Sequence, residues 1–167
     1  MAVGDTYLST IKLNRQDMKF SSGHFTIFSA TERERLHGHN YHVSCTVKAE
    51  ASSEGITYDY SETRKVLIAL CRELNEYMLL PKDSPHLKVT EDETYYYAQY
   101  GEDKMIFLKK ETLILPLSNI TSEELARWFV ERLIEDKPSI KEKKISEIMV
   151  GVSTTPGQEA YYQWKGQ

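Results

Sequence analysis

The stretch from His37 to Ala49 constrains this chain more than any other. Tyr41, Val43, Cys45, Val47 and Ala49 alternate with His42, Ser44, Thr46 and Lys48, the period-two pattern of a half-buried strand. Alternate side chains on a strand share a face, so His37 and His39 can aim at one point. His24, in Phe20-Ser21-Ser22-Gly23-His24-Phe25, lies where a preceding antiparallel strand can bring it to the same point. Three imidazoles and an open position are the composition of a catalytic zinc site. A lone His-x-His is more often a surface or core feature than a metal site. The upstream third histidine, and a Gly38 that reads as turn-ready, strengthen the metal reading.

The chain has 167 residues, enough for one domain spanning 1–167 with a real core. A net charge of -4 argues against a nucleic-acid binder that works by bulk charge. No apolar run approaches the roughly 20 residues that span a membrane. Met1 to Asp5 lacks a basic and an apolar leader region, so a cytoplasmic protein is expected. Cys45 and Cys71 form no C-x-x-C pair and read as reduced core residues.

Tyr7 to Leu13 and Met18 to Ile27 read as strands that precede that pattern. Asp59 offers a helix cap, and Val66, Leu70, Leu74 and Met78 recur at helical spacing until Pro81 ends the run. Thr94 to Tyr100 and Lys104 to Lys109 flank Gly101-Glu102-Asp103, a hairpin turn. Thr121-Ser122-Glu123-Glu124 is a capping box, followed by the apolar line Leu125, Phe129 and Leu133. After Pro138 and a lysine-rich turn, Ile145 to Val152 and Ala160 to Trp164 close the chain as strands around Pro156-Gly157. The pattern predicts an α+β domain with a mainly antiparallel sheet.

Phe20-x-x-x-His24, His37-Gly38-His39-Asn40-Tyr41 leading a strand and Thr57-Tyr58-Asp59-Tyr60 opening a helix resemble the 6-pyruvoyl-tetrahydropterin synthase and 6-carboxy-tetrahydropterin synthase family. Leu79-Leu80-Pro81, Asn119-Ile120-Thr121-Ser122-Glu123-Glu124-Leu125-Ala126 and Val150-Gly151-Val152-Ser153 continue the likeness in order. The resemblance implies a tunnelling fold: an antiparallel four-stranded sheet with two helices on one face, here with an inserted β-hairpin. It implies a homotrimer or homohexamer with active sites between subunits, and zinc (Zn2+) on His24, His37 and His39. It also implies a zinc-dependent lyase that acts on dihydroneopterin triphosphate or a related pterin.

The sequence departs from the family at several positions. Arg33 stands where the family usually carries its cysteine base. Glu34 instead gives Glu34-Arg35-Leu36-His37-Gly38-His39, which resembles a branch that uses glutamate to make a folate precursor. Glu34 is therefore the candidate base, its pKa expected to rise on burial, against a reading as a solvated loop charge. The family's Leu-Asp-His at the end of the first helix is Leu74-Asn75-Glu76 here, and its pterin-anchoring glutamate is Thr154. Glu159 is a near-by substitute of uncertain register. Thr121 and Ser122 are candidate substrate contacts as well as helix caps. Asp59 is read as a cap that braces the histidine strands. Arg33 and Arg35 are either triphosphate contacts or partners of Glu32 and Glu34. The competing reading is a non-catalytic protein of the same fold that binds a pterin- or purine-like ligand and keeps a structural zinc.

Overall fold

The computed structural model describes residues 6–166. Met1 to Asp5, on which the expectation about a leader rests, lies outside the described residues. Ten strands and three helices run β1 (Tyr7–Leu13), β2 (Lys19–His24), β3 (His37–Ala51), α1 (Ser61–Leu74), β4 (Tyr77–Pro81), β5 (Lys88–Glu91), β6 (Tyr95–Tyr100), β7 (Asp103–Leu108), β8 (Thr112–Leu115), α2 (Ser122–Ile134), α3 (Lys137–Glu142), β9 (Ile145–Thr155) and β10 (Gln158–Lys165).

The long strand β3 organises the molecule. Its first half pairs antiparallel with β2 and its second half with β1, so β1 and β2 share one edge. Val43 N–H donates to Met18 O at 2.9 Å across the joint between them. The other edge of β3 pairs with β9, which pairs with β10, both antiparallel. These four antiparallel tracks match the sheet expected from the sequence. Two short parallel strands widen it, β4 on β2 and β8 on β4, to seven strands: the order is β10-β9-β3-β2-β4-β8, with β1 the seventh, on β3. The expected hairpin is part of a separate three-stranded sheet, β5-β6-β7. Its turn puts Gly101 at a φ of 54°, where a side chain would be strained.

The core forms because the alternation of β3 meets the helices' apolar stripes. Tyr41, Val43, Cys45, Val47 and Ala49 are all buried, with Ile148, Val150 and Val152 beside them. Leu67, Leu70, Cys71 and Leu74 of α1, and Leu125, Ala126, Phe129 and Val130 of α2, fill the same cluster. Phe20 stacks on Tyr41 at 4.7 Å and meets Phe129 at 6.1 Å.

Three local expectations are corrected. The first helix ends at Leu74 instead of running to Pro81: Glu76 takes a φ of 66°, and Met78 and Pro81 belong to β4. Its buried stripe runs through Leu67 and Leu70, while Val66 is exposed. Asp59 accepts the Ser61 N–H at 2.9 Å, a local turn contact rather than a brace on the histidine strands. The lysine-rich turn is helix α3, with Asp136 accepting the Ser139 N–H and Pro138 in the first turn, where a missing N–H costs least.

Candidate metal centre

Register places the histidines. In the β2–β3 ladder His24 lies directly opposite His37, and His39 follows two residues on along the same face. Ring centroids stand 4.5 Å apart for His24–His37, 4.7 Å for His37–His39 and 5.1 Å for His24–His39. One ligand atom from each lies within 4.8 Å of the others. Gly38 makes no turn. It sits inside β3 opposite Gly23, where a Cβ would lie 3.3 Å from the Ser22 carbonyl.

Hydrogen bonding fixes which nitrogens converge. His24 Nδ1 lies 2.8 Å from Ile120 O, and His37 Nδ1 lies 2.8 Å from Arg35 O. A carbonyl oxygen only accepts, so each Nδ1 carries the proton and each Nε2 presents a lone pair. His24 Nε2 is buried without a partner, and the Nε2 atoms of His37 and His39 face each other at 3.0 Å. Converging lone pairs with one orphaned in the interior suit a bound cation, and three neutral imidazoles suit zinc. Burial lowers the pKa of His24, helped by the charges of His37 and His39 and opposed by the Ile120 carbonyl. Burial and His37 lower that of His39 too. Both rings are therefore held in the neutral, ligating form.

Glu34 sits on the connection between β2 and β3, with its carboxylate 4.0 Å from His37 Nε2. Its Oε2 accepts the Thr26 N–H at 2.9 Å, while its own N–H donates to Thr26 O at 2.8 Å. Desolvation pushes its pKa up, but the Thr26 hydrogen bonds and the charges of His37 and His24 outweigh it, and the net shift is downward. The expected rise toward neutrality is thus corrected: the Thr26 contacts and the histidines outweigh burial, and Glu34 is held as the carboxylate. Arg33 does not pair with the carboxylates of Glu32 or Glu34; its ion pair is with Asp103. Its guanidinium lies between the rings of Phe25 and Tyr100, 5.4 Å from each centroid. It donates to Glu34 O at 3.0 Å and pairs with Asp103 of β7 at 3.2 Å. Arg35 is exposed.

A cavity of about 570 Å³ opens beside the histidines, and its walls collect His24, His39, Glu34, Thr121, Ser122 and Thr154. The volume suits a small two-ring ligand. Thr121 Oγ1 accepts the Glu124 N–H at 3.3 Å, one half of the expected capping box. The other half is absent, because the Glu124 carboxylate turns to Ser118 and Arg127. Thr154 lies one ladder step beyond the His42–Ser153 pair, on the face of Val152 and Tyr41. Glu159 does not replace it: its carboxylate takes the hydroxyls of Ser44 and Tyr161 and lies over Gly151, on the opposite face of β9. Asn75 and Glu76 do not line the cavity either. Asn75 Oδ1 accepts the Ser21 N–H at 2.9 Å, a brace at the end of α1. Burial pushes the thiols of Cys45 and Cys71 up to about 12, so both stay protonated core groups.

Two further residues at the cavity carry no assignment from the sequence. Asn119 donates to Ile27 O at 2.7 Å and accepts from Ile27 N–H at 3.1 Å, tying the Thr26 segment to the start of α2. It stood unassigned just before the capping box. Tyr41 lines the same cavity with its hydroxyl buried and unpartnered. The strand alternation already put it on the histidine face.

A sequence model of the 6-pyruvoyl tetrahydropterin synthase family matches residues 13–165. A Methanocaldococcus jannaschii protein provisionally named 6-carboxy-5,6,7,8-tetrahydropterin synthase is 24% identical over 147 residues, covering 87% of this chain and 90% of that protein. The crystal structure of 6-pyruvoyl tetrahydropterin synthase from Plasmodium vivax superposes with a TM-score of 0.90 at 25% identity, covering 96% of this chain and 99% of the other. The Plasmodium falciparum enzyme gives 0.89 at 25% identity, covering 95% and 99%. Two further P. vivax structures carry alanine or cysteine in place of a glutamate described as a catalytic residue. No helix among the described residues is long and apolar enough to cross a membrane.

Proposed function

We propose that this chain, which belongs to the 6-pyruvoyl tetrahydropterin synthase family, is a zinc-dependent lyase acting on the side chain of a reduced pterin such as dihydroneopterin triphosphate. The observation that carries this reading is the unpartnered, buried Nε2 of His24, converging with two more imidazole nitrogens on the wall of a cavity. His24, His37 and His39 would hold the ion. Zinc, when bound, supplies Lewis-acid polarisation of substrate oxygens.

The rest is the work of the chain's own residues. Glu34, ionised and 4.0 Å from His37, accepts the proton released from the substrate side chain. The P. vivax relative's catalytic glutamate supports this role. Thr121, Ser122 and Thr154 offer hydroxyls along the wall to hold the ring. Asn119 keeps the Thr26 N–H, and through it the Glu34 carboxylate, in place.

The assembly is a homotrimer or homohexamer. Within one chain β10 and β8 end the sheet with unpaired edges, and Tyr161 and Tyr162 on β10 are exposed. The deciding experiment is to incubate the zinc-loaded protein with dihydroneopterin triphosphate and identify products by mass spectrometry. Release of triphosphate with a changed side chain is expected. Tight binding with no product would instead favour a non-catalytic ligand-binding protein.

A further inference from the structure

We infer that the Tyr41 hydroxyl is a substrate contact: it donates a hydrogen bond to a ring nitrogen or carbonyl oxygen of the heterocycle bound in the histidine-lined cavity. This deepens the pterin reading above and rests on it. Among the described residues, three buried side-chain polar atoms lack a hydrogen-bond partner. Two of them, His24 Nε2 and the Tyr41 hydroxyl, belong to residues lining this one cavity. Buried polar groups are almost always paired, so two orphans at one cavity mark groups that a ligand completes. The metal answers the first; the second needs an acceptor.

The ring has no freedom to take its hydroxyl elsewhere. Tyr41 is 1% exposed. Phe20 covers one face at 4.7 Å, nearly parallel at 13°. The imidazoles of His24 and His39 stand edge-on at 5.9 and 5.7 Å. Other half-buried or buried tyrosines do find partners: Tyr58 meets Thr63 at 3.0 Å, and Tyr100 donates to Ser29 O at 2.8 Å. The Phe20–Tyr41 pair sits one strand from Thr154, so two hydroxyls, Tyr41 and Thr154, share a wall. A neutral hydroxyl pair with a free proton suits the in-plane acceptors of a reduced pterin.

The test compares wild type and Tyr41→Phe, both zinc-loaded and full length, by titration with 7,8-dihydroneopterin. Losing one hydrogen bond to the ring should weaken binding about tenfold. Zinc content should not change. The melting temperature without pterin should stay level or rise, because the variant removes a buried group that nothing satisfies. Equal affinity in both proteins overturns the Tyr41 role while leaving the pterin reading intact. A lowered melting temperature of the unliganded variant also overturns it, since the hydroxyl would then have a partner inside the fold. If the wild type itself does not bind 7,8-dihydroneopterin, the pterin reading falls and takes this inference with it.

Discussion

The histidine cage and the Glu34 loop lie side by side, yet they are held by different means. His24, His37 and His39 are placed by the β2–β3 ladder, and two of their rings are locked by backbone carbonyls of neighbouring segments. Their geometry follows from strand register, which the buried face of β3 enforces. Glu34 has no ladder under it. It is held by the reciprocal Thr26 contacts and by Arg33, whose guanidinium is clamped between Phe25 and Tyr100 and tied to Asp103 of the three-stranded sheet. The cage is a property of the main sheet, whereas the proposed base depends on a separate unit packed against it. Metal affinity and proton transfer should therefore fail independently.

The largest effect is expected from His37→Ala. Removing a ligand from a three-imidazole set should abolish most zinc retention from about one ion per chain, measured by atomic emission after purification without chelator. Full occupancy in that variant would refute the cage. Glu34→Gln comes next. It keeps size and accepts the Thr26 N–H but cannot take a proton, so turnover should fall by about 10²–10⁴ with zinc unchanged. Wild-type turnover would exclude Glu34 as the base.

Arg33→Ala sharpens the contrast at smaller amplitude. A stacked guanidinium contributes on the order of 0.5–2 kcal/mol, and its exposed partner Asp103 adds little. Turnover should drop by roughly tenfold at constant zinc as Glu34 loosens. Arg33→Cys should behave alike instead of restoring a cysteine base, because the side chain at this position points between Phe25 and Tyr100. A rise in activity for Arg33→Cys would overturn the clamp.

The smallest effect is the pH dependence of the chelated protein. His24 and His39 have pKa values below the ordinary 6.5, so between the unfolded and folded values the unfolded chain binds more protons. Their contribution is fully present above 6.5 and declines as pH falls through that window, so the melting temperature should decline with it. Glu34, depressed below 4.5, acts in the same direction only at lower pH, its contribution fading as it is protonated. A melting temperature flat from pH 7 to 5 in the absence of metal would contradict the histidine shifts.

What could be read from the sequence was whatever repeats with a period. The alternation of β3 gave the sheet and the histidine face, and Thr121 gave the start of α2. Apolar spacing predicts too long a first helix because Leu70, Leu74 and Met78 continue the pattern past Glu76, whose left-handed backbone leaves no mark in it. Helix α3 carries lysines and no apolar stripe, so periodicity could not find it. The parallel strands β4 and β8 are too short to announce a direction. The sign of the Glu34 shift depends on contacts with Thr26 and on the nearby His37 and His24, a balance that composition cannot locate. Arg33's clamp joins residues far apart in the chain, and only the packed fold reveals it.

The shared edge of β3 has a consequence for the order of assembly. All three candidate metal ligands lie on two strands adjacent in sequence, so closing the loop between them costs less entropy than pairing strands from opposite ends of the chain. The remaining wall, from Thr121 to Thr154, arrives only when the last part of the chain docks. On a ribosome the cage would leave the exit tunnel long before the strands that roof it. Metal capture could then precede completion of the domain and template it. Pulse-labelled hydrogen exchange during refolding, with and without zinc, would show β2 and the first half of β3 protected ahead of β9 only when metal is present.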